Sequence, residues 1–243
     1  MTGYIPQFRW ASAGTSNVGN VREVNEDAYL DAPNRGMWVV ADGMGGHDAG
    51  NVASAMIVEA LDALPAPATI EHVQDRLQSV NARLHAMTNK AEAGSIIGST
   101  VAVMLAQSGQ CILCWAGDSR VYRLRDFILT QLTRDHSEVE FLVAERGLSR
   151  EDAEQHPDAS VILRAVGGQA SLDLEVCADS LKSRDRYLLC TDGLTGELDA
   201  SDIAEILSRG SCMDACRNLI QRVLSRSGND NVTVVVVDFE EID

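Results

Sequence analysis

The sequence has few basic residues and no long apolar run. It contains 20 Lys and Arg against 36 Asp and Glu, a net charge of -16, and so negative a surface repels nucleic acid and anionic lipid. No stretch approaches the ~18 apolar residues that a membrane-spanning helix needs, and the N-terminus lacks the charged start and apolar run of a signal peptide. We therefore expect a cytoplasmic protein that binds neither nucleic acid nor membrane.

Zinc-type cysteine pairs are also missing, although the chain has six cysteines. Cys111 and Cys114 lie three residues apart in a strand-like run, which points their thiols to opposite faces of a sheet. Cys212 and Cys216 share a face if their segment is helical, but no second Cys or His pair at zinc spacing accompanies them. We interpret the cysteines as buried free thiols.

Nothing in the chain marks a domain boundary, since it has no internal repeat, no low-complexity run and no long linker. A chain of 243 residues, 45% of them hydrophobic, buries one sizeable core, so residues 1–243 are predicted to form a single domain. Strand-like runs come in two blocks, at residues 8–13, 28–31, 37–41, 100–106, 111–116, 121–125 and 128–132, then at 161–165, 173–177, 186–191 and 232–239. Their short connections favour antiparallel pairing.

Helical periodicity appears between these strands. Apolar residues from Ile70 to Met87 recur every three or four positions and predict a helix capped by Thr69. Further helices are predicted at residues 51–64, 201–208 and 213–226, and short ones after the capping signals at Ser137 and Ser149. We expect the α+β class, with two sheets covered by helices on their outer faces. The weakly patterned segment 137–161 is interpreted either as a mobile lid or as a surface hairpin of helices.

Four aspartates lie next to predicted strand ends. Asp42, Asp118 and Asp192 each follow a strand-like run, and Asp230 comes just before the last one. If the last strand runs antiparallel to its neighbours, its beginning lies beside their ends, and all four carboxylates meet at one rim. One such aspartate alone reads as a turn residue, but four together favour a functional site.

Such a group of like charges needs compensation, because each carboxylate raises the pKa of the next. Divalent cations provide it, and an oxygen set without His or Cys suits magnesium, manganese or calcium better than zinc or copper; we predict Mn²⁺ or Mg²⁺. The Gly43 carbonyl in Asp42-Gly-Met-Gly-Gly46 is a further candidate ligand, since glycine lets the backbone approach an ion. A phosphate-binding loop is the rival interpretation, but the segment lacks the Gly-Lys-Ser/Thr ending.

Eight motifs in the same order match one protein family. They are Arg22-Glu-Val-Asn-Glu-Asp27, Val40-Ala-Asp-Gly-Met-Gly-Gly-His47, Gly98-Ser-Thr100, Ala116-Gly-Asp-Ser-Arg-Val-Tyr122, Leu132-Thr-Arg-Asp-His-Ser137, Arg164-Ala-Val-Gly167, Leu189-Cys-Thr-Asp-Gly-Leu194 and Asp230-Asn-Val-Thr233. Together they resemble the motifs of protein phosphatase 2C-type enzymes, the metal-dependent protein serine/threonine phosphatases, and in particular the bacterial members. The resemblance implies a four-layer αββα sandwich, two antiparallel sheets flanked by helix pairs, with metals at one rim.

The resemblance also implies roles for the acids. Asp42 would bridge two tightly bound ions, with the Gly43 carbonyl completing one site and Asp192 and Asp230 binding the other. Asp118 matches the acid that bacterial members use, with Asp192, for a third and weaker ion.

Three residues near the N-terminus would complete the site. Arg22 would bind the substrate phosphate, Glu26 would act at the metal centre through a coordinated water, and Asp27 would help to orient that shell. Two ions ~3.5–4 Å apart activate a bridging water and stabilise an in-line displacement. The expected reaction is therefore single-step hydrolysis of phosphoserine or phosphothreonine by a metal-bridging hydroxide. Without the motif, Arg22 reads equally well as part of a surface salt bridge.

One position departs from some members of the family. Met44 stands where many eukaryotic members carry a histidine proposed as the general acid, so the leaving group must take its proton from water or another group. His47 and His136 are interpreted as loop or turn histidines with mainly structural roles.

Two other functions stay open from the sequence: a phosphopeptide-binding or scaffold module with this fold, and a hydrolase of another phosphoester. The complete set of matched acids counts against the first, whereas two ions and an arginine do not by themselves recognise a protein. The expected partners are phosphorylated proteins, namely a cognate bacterial serine/threonine kinase and its targets, among them proteins with forkhead-associated domains. We expect a monomer whose specificity resides in segment 137–161.

Overall fold

The computed structural model describes residues 7–45, 49–89 and 96–242. Its strands are β1 (Gln7–Asn17), β2 (Asp27–Ala32), β3 (Met37–Met44), β4 (Gly98–Ser99), β5 (Val101–Gln107), β6 (Gln110–Ala116), β7 (Arg120–Arg125), β8 (Ile128–Gln131), β9 (Glu175–Ser180), β10 (Arg186–Cys190) and β11 (Val232–Ile242). Its α-helices are α1 (Ala49–Asp62), α2 (Ile70–Thr88), α3 (Glu138–Arg146), α4 (Arg150–Glu154), α5 (Asp192–Thr195), α6 (Ala200–Leu207) and α7 (Cys212–Ser225).

The strands form two antiparallel sheets that pack face to face. Sheet A has the order β1-β11-β10-β7-β8, and sheet B has the order β2-β3-β5-β6-β9 with β4 paired to β3. The core between the sheets combines large side chains from both, such as Trp38 of sheet B with Tyr187 and Phe239 of sheet A. The rings of Tyr187 and Phe239 meet edge to face with centroids 5.5 Å apart, a favourable aromatic geometry.

Helices cover the outer face of each sheet. The predicted apolar stripe of α2, including Val73, Leu77 and Leu84, is buried against α1 and sheet B. On the other side, α6 and α7 pack on sheet A. Thr69 caps α2 as predicted, in a reciprocal capping box with His72. The predicted α+β class and four-layer αββα sandwich are confirmed.

The predicted strand at residues 161–165 is wrong. Val161 and Leu163 are 43% and 37% exposed, so no sheet face buries the apolar residues of this run, and only isolated bridges pair Ile162 with Ser137 and Val166 with Ser99. The strand predicted at residues 173–177 begins two residues later, at Glu175. The short elements β4 and α5 were not predicted.

Segment 137–161 contains a hairpin of two short helices, α3 and α4. The Ser137 side chain accepts a hydrogen bond from the Glu140 amide, as its capping signal predicts. The two ends of the segment meet, since the Glu138 amide donates to the Val161 carbonyl at 2.9 Å. The role of this hairpin as a lid stays a prediction, as does the single domain over residues 1–243.

All six cysteines are free, and five are buried, while Cys177 is partly exposed. Cys111 lies in the core between the sheets and Cys114 in the core under α1 and α2, so the prediction that they point to opposite faces is confirmed. Within the described ranges, no helix is both long enough and apolar enough to cross a membrane.

Candidate active site

The predicted acids gather where β2, β3, β10 and β11 meet. Asp42 lies directly opposite Asp27 in the β2–β3 ladder. Strand β11 runs antiparallel to β10, so Asp230, just before β11, lies near Asp192, just after β10. Asp42 feels the charges of Asp192, Asp27 and Asp118, and Asp192 feels that of Asp230. The predicted convergence is therefore present in the fold.

The sequence predicted that Asp42 and Asp192 each follow directly after a strand, and the structure places both differently. Asp42 lies inside β3, because pairing with β4 extends that strand through Gly43 to Met44. Asp192 is the first residue of α5. Gly193 behind it contacts the backbone of Asn231 so closely that a Cβ would lie 1.9 Å from the Asn231 carbonyl oxygen. This contact fixes the start of α5 against the residue that follows Asp230.

Burial and mutual repulsion raise the pKa of each acid in the centre of this group. Desolvation is the largest cause, and it brings the pKa of Asp27 and of Asp118 to about 7. Burial and the charge of Asp192 hold the pKa of Asp42 well above its ordinary value. Burial also raises the pKa of Asp192, while a hydrogen bond from Asp42 acts in the opposite direction.

The hydrogen bonds to these aspartates do not use all of their carboxylate oxygens. One carboxylate oxygen in each of Asp27, Asp118 and Asp192 is buried without a hydrogen-bond partner. A buried, unpartnered acceptor is costly, and a cation bound to it removes that cost. The donor set is all oxygen, which fits Mg²⁺ or Mn²⁺.

The described acids lie near one another without forming a complete ligand shell. In the part of the chain that the structure describes, no three His, Cys, Asp or Glu side chains are close enough to hold an ion as they stand. Asp42 is hydrogen-bonded to Asp192, and Asp230 accepts from Arg22 and from the Asn231 amide. Binding of cations would displace Arg22 from Asp230 and offset the repulsion between these carboxylates.

Arg22 lies at the edge of the acid group. Its guanidinium donates to Asp230 Oδ2 at 2.8 Å, and its side chain is 55% exposed. The hydrogen bond and charge of Asp230 raise the pKa of Arg22, and Glu26 and Asp192 add smaller contributions. Arg22 thus forms an exposed salt bridge at the edge of the acid group, and its role in binding the substrate phosphate stays a prediction.

Glu26 and Gly43 lie against the start of α1. The Gly43 amide donates to the Glu26 carbonyl at 3.1 Å, and the Ser54 hydroxyl donates to the same carbonyl at 2.5 Å. Gly50 contacts the Glu26 side chain, since a Cβ on Gly50 would lie 2.5 Å from Glu26 Oε1. A Cβ on Gly43 would lie 2.0 Å from the Gly50 carbonyl oxygen, so both glycines are required by close packing.

Two threonines make hydrogen bonds to the aspartates of the site. Neither was singled out from the sequence, although both lie in the family motifs. Thr100 accepts from the Asp42 amide at 3.0 Å through its hydroxyl, and its own amide donates to the Asp42 carbonyl at 2.8 Å. The Thr191 hydroxyl donates to Asp27 Oδ2 at 2.9 Å. Their position at strand ends, and for Thr191 directly before Asp192, was the available signal.

The histidines of the motifs differ in position. His136 is buried, accepts from the Gly117 amide through Nδ1, pairs through Nε2 with Glu175, and stacks on Trp115. These contacts fit the structural role predicted for it. His47 lies outside the described residues. A groove of about 600 Å³ opens beside Trp10, Arg186 and Phe239, and none of the predicted site residues lines it.

Comparison with known proteins matches this chain to one family along most of its length. The family model described as Protein phosphatase 2C matches residues 13–232. The serine/threonine phosphatase stp of Listeria monocytogenes is 36% identical over 233 residues, which cover 90% of this chain and 92% of the relative.

Solved structures agree with the match. PppA, a regulatory component of the T6SS in Pseudomonas aeruginosa, has a TM-score of 0.87 and 40% identity, covering 95% of this chain and 97% of that one. The catalytic domain of the serine/threonine phosphatase PstP, in complex with two manganese ions, has a TM-score of 0.85 and 32% identity, covering 96% and 100%.

The αββα sandwich with acids at one rim thus places the molecule in the class of protein phosphatases. The chain belongs to the protein phosphatase 2C family, and the predicted resemblance to the bacterial serine/threonine phosphatases of this family is confirmed.

Proposed function

We propose that this chain hydrolyses phosphoserine and phosphothreonine in proteins with the help of two divalent cations, Mn²⁺ or Mg²⁺. The observation that carries the proposal is the buried Asp42–Asp192 pair, in which burial and the charge of Asp192 raise the pKa of Asp42 and one oxygen of Asp192 has no hydrogen-bond partner. A fold keeps so costly an arrangement only where something offsets it. Asp42 would bridge the ions, the Gly43 carbonyl would complete one site, and Asp192 and Asp230 would complete the other.

Asp118 belongs to the proposal as a ligand of a third and weaker ion, shared with Asp192. It is buried, has an oxygen without a partner, and feels the charge of Asp192. The backbone carbonyl and amide of the preceding Gly117 are hydrogen-bonded to His136. The Asp118 carboxylate is thus presented from a fixed turn, although it is not bonded to the Asp42–Asp192 pair.

Bound cations would supply Lewis acidity and an activated water. The chain's own residues then bind and orient the phosphate. Arg22 is an exposed cation paired with Asp230. This half-exposed pair is worth only about 0–1 kcal/mol, so a phosphate dianion competes for Arg22 with charge-assisted hydrogen bonds. Glu26 and Asp27 flank the Asp42 backbone and would orient water, Asp27 through an oxygen held by Thr191.

The leaving group needs a proton from a source other than His136. Both ring nitrogens of His136 are engaged, one by the Gly117 amide and the other by Glu175. Burial lowers its pKa, which further reduces its capacity to hold a proton. Met44 offers no proton at the end of β3, so water in the site is the proposed donor.

The proposal extends to the partners of the enzyme. The names of the relatives support phosphoproteins as substrates, and the family resemblance supports a cognate serine/threonine kinase, its targets and proteins with forkhead-associated domains. A net charge of -16 favours a monomer, because like-charged copies repel each other. A cytoplasmic location belongs to the same proposal.

Phosphate release from a phosphothreonine peptide, measured after chelation and then with added Mn²⁺ or Mg²⁺, tests the proposal. We expect metal-dependent release that falls by orders of magnitude in Asp192→Ala. Asp75→Ala is the matched control, because Asp75 is an exposed acid on α2, a helix on the outer face of sheet B. Release without metal would reject the two-ion site, and hydrolysis of p-nitrophenyl phosphate alone would favour another phosphoester as substrate.

A further inference from the structure

The segment that carries Arg22 and Glu26 has no regular secondary structure. Residues 18–26 join β1 to β2 as turns and irregular chain. Two of the three valines in this segment do not anchor it, since Val21 is 63% and Val24 40% exposed. The positions of Arg22 and Glu26 therefore depend on hydrogen bonds made to this segment by the rest of the fold.

Asn231 makes three of those bonds with one side chain. Its Oδ1 accepts from the Glu26 amide at 2.8 Å, and its Nδ2 donates to the carbonyls of Val18 and Val24, each at 3.0 Å. The side chain thus uses both its acceptor and its two donors on a single segment. Asn231 is only 6% exposed, so water does not readily replace these bonds.

The backbone of Asn231 is held by the acid group. Its amide donates to Asp230 Oδ1 at 2.9 Å, and its carbonyl lies against Gly193, next to Asp192. Asn231 therefore connects the 18–26 segment on one side to the residues around Asp230 and Asp192 on the other. A shift of its side chain moves Glu26 directly, because the bond is to the Glu26 amide.

We propose that Asn231 is a positioning residue, which sets Arg22 and Glu26 relative to Asp230 and Asp192. This inference rests on the proposed function for its effect on turnover. Asn20 holds the first part of the segment to the end of α7, through the carbonyls of Leu224 and Ser227. Asn231 instead bonds the end of the segment, at the Glu26 amide, and its own amide donates to Asp230.

Hydrogen exchange measured by mass spectrometry, together with kinetics, tests the role of Asn231. In Asn231→Ala, we expect faster exchange confined to residues 18–26, with β5 and α2 unchanged, and kcat/KM lower by about 100-fold, since a misplacement of about 1 Å has that effect. Asn229→Ala is the control, because Asn229 is exposed and bonds only within its own loop and to Glu197.

A double variant separates positioning from general stability. If Asn231 acts through Arg22 and Glu26, its loss costs less in an Arg22→Ala background than in the wild type, because coupled residues are not additive. Equal losses in both backgrounds, or faster exchange with unchanged kcat and KM, would overturn the inference.

A second variant and the activity of the wild type distinguish failure of this inference from misfolding and from failure of the proposed function. If Asn231→Ala does not fold, Asn231→Asp keeps the volume and the acceptor for the Glu26 amide but loses both donors, and the same exchange and coupling are expected. Wild-type protein without phosphatase activity would count against the proposed function, whereas an active wild type with an undiminished Asn231→Ala would count against this inference alone.

Discussion

Arg22 donates a hydrogen bond of 2.8 Å to Asp230 Oδ2, so the residue proposed to bind phosphate is paired with one proposed to bind a cation. A cation on Asp230 would release Arg22 toward the substrate, and a phosphate on Arg22 would release Asp230 toward the cation. Phosphate and metal are therefore expected to bind better together than either does alone.

Replacement of Arg22 by alanine tests this relationship. We expect a KM for phosphopeptide raised about 10-fold or more, because a charge-assisted bond to phosphate is lost, while Mn²⁺ affinity is unchanged or higher because Asp230 loses a competing partner. Calorimetric Mn²⁺ titration and initial-rate kinetics measure both. Arg9→Ala, which removes an exposed pair with Glu240, serves as control; weaker Mn²⁺ binding in Arg22→Ala alone would contradict the account.

The metal-free protein should lose stability as the pH rises. Asp27 and Asp118 have pKa values of about 7 in the fold, raised mainly by burial, against about 3.9 in an unfolded chain. The folded state therefore holds more protons between these values, so its stability falls from about pH 4 toward pH 7 and above. Thermal melting in chelator across this range is the measurement.

Cations should reverse that trend, because they bind the deprotonated acids and compete with protons. With excess Mn²⁺, we expect the melting temperature to rise over the same pH range. The Asp27→Asn and Asp118→Asn double variant should flatten the metal-free profile, whereas Asp75→Asn should not. A metal-free profile that rises toward pH 7 and is unaffected by the double variant would argue against the buried acid group.

Thr100 should support Asp42 through the backbone. Thr100→Val keeps the shape but removes the acceptor of the Asp42 amide and the bond to the Ser119 hydroxyl. Leaving that amide unpaired is expected to lower the free energy of unfolding by about 1–3 kcal/mol. Urea unfolding measures it, with Thr130→Val on β8 as control, since Thr130 lies on the edge strand of sheet A. Equal stability in the two variants would be evidence that Thr100 is dispensable.

The absence of a side chain at Gly50 should be needed for the observed position of the Glu26 side chain. In Gly50→Ala the new Cβ would meet Glu26 Oε1 at 2.5 Å and the Gly43 carbonyl carbon at 2.8 Å. We expect a loss of about 1–3 kcal/mol in stability from overpacking, together with reduced activity. Gly168→Ala is the control, because its Cβ would meet only ordinary contacts from 3.4 Å outward. Full activity in Gly50→Ala would mean that the position of Glu26 does not matter.

Removal of the helical hairpin tests its role as a lid. Residues 139–160 can be replaced by a short glycine linker, because Glu138 and Val161 are hydrogen-bonded at the base of the segment. If the hairpin carries specificity, the order in which the enzyme prefers a set of phosphopeptides should change while hydrolysis of p-nitrophenyl phosphate is retained. An unchanged order would show that specificity lies elsewhere.

The sequence was sufficient for features that local patterns encode. The stripe of α2, the Thr69 cap and the valine-rich strand β11 follow from periodicity and propensity, and the convergence of Asp42, Asp192 and Asp230 follows from antiparallel pairing.

Other features depend on contacts between distant segments. The role of Thr100 requires knowing that it pairs with Asp42, 58 residues away, and the role of Asn231 requires its bonds to a segment 205 residues earlier. The wrong prediction of a strand at residues 161–165 has the same cause. The apolar residues of this segment match a strand pattern, but no sheet packs against them.

The most direct test of the central claim is a count of bound metal ions. Equilibrium dialysis of the wild-type protein against Mn²⁺, with the metal measured by mass spectrometry, should give two tightly bound ions per chain, and Asp42→Asn should lose both because that residue is proposed to bridge them. Two tight ions retained in Asp42→Asn, or none in the wild type, would contradict the proposed metal centre.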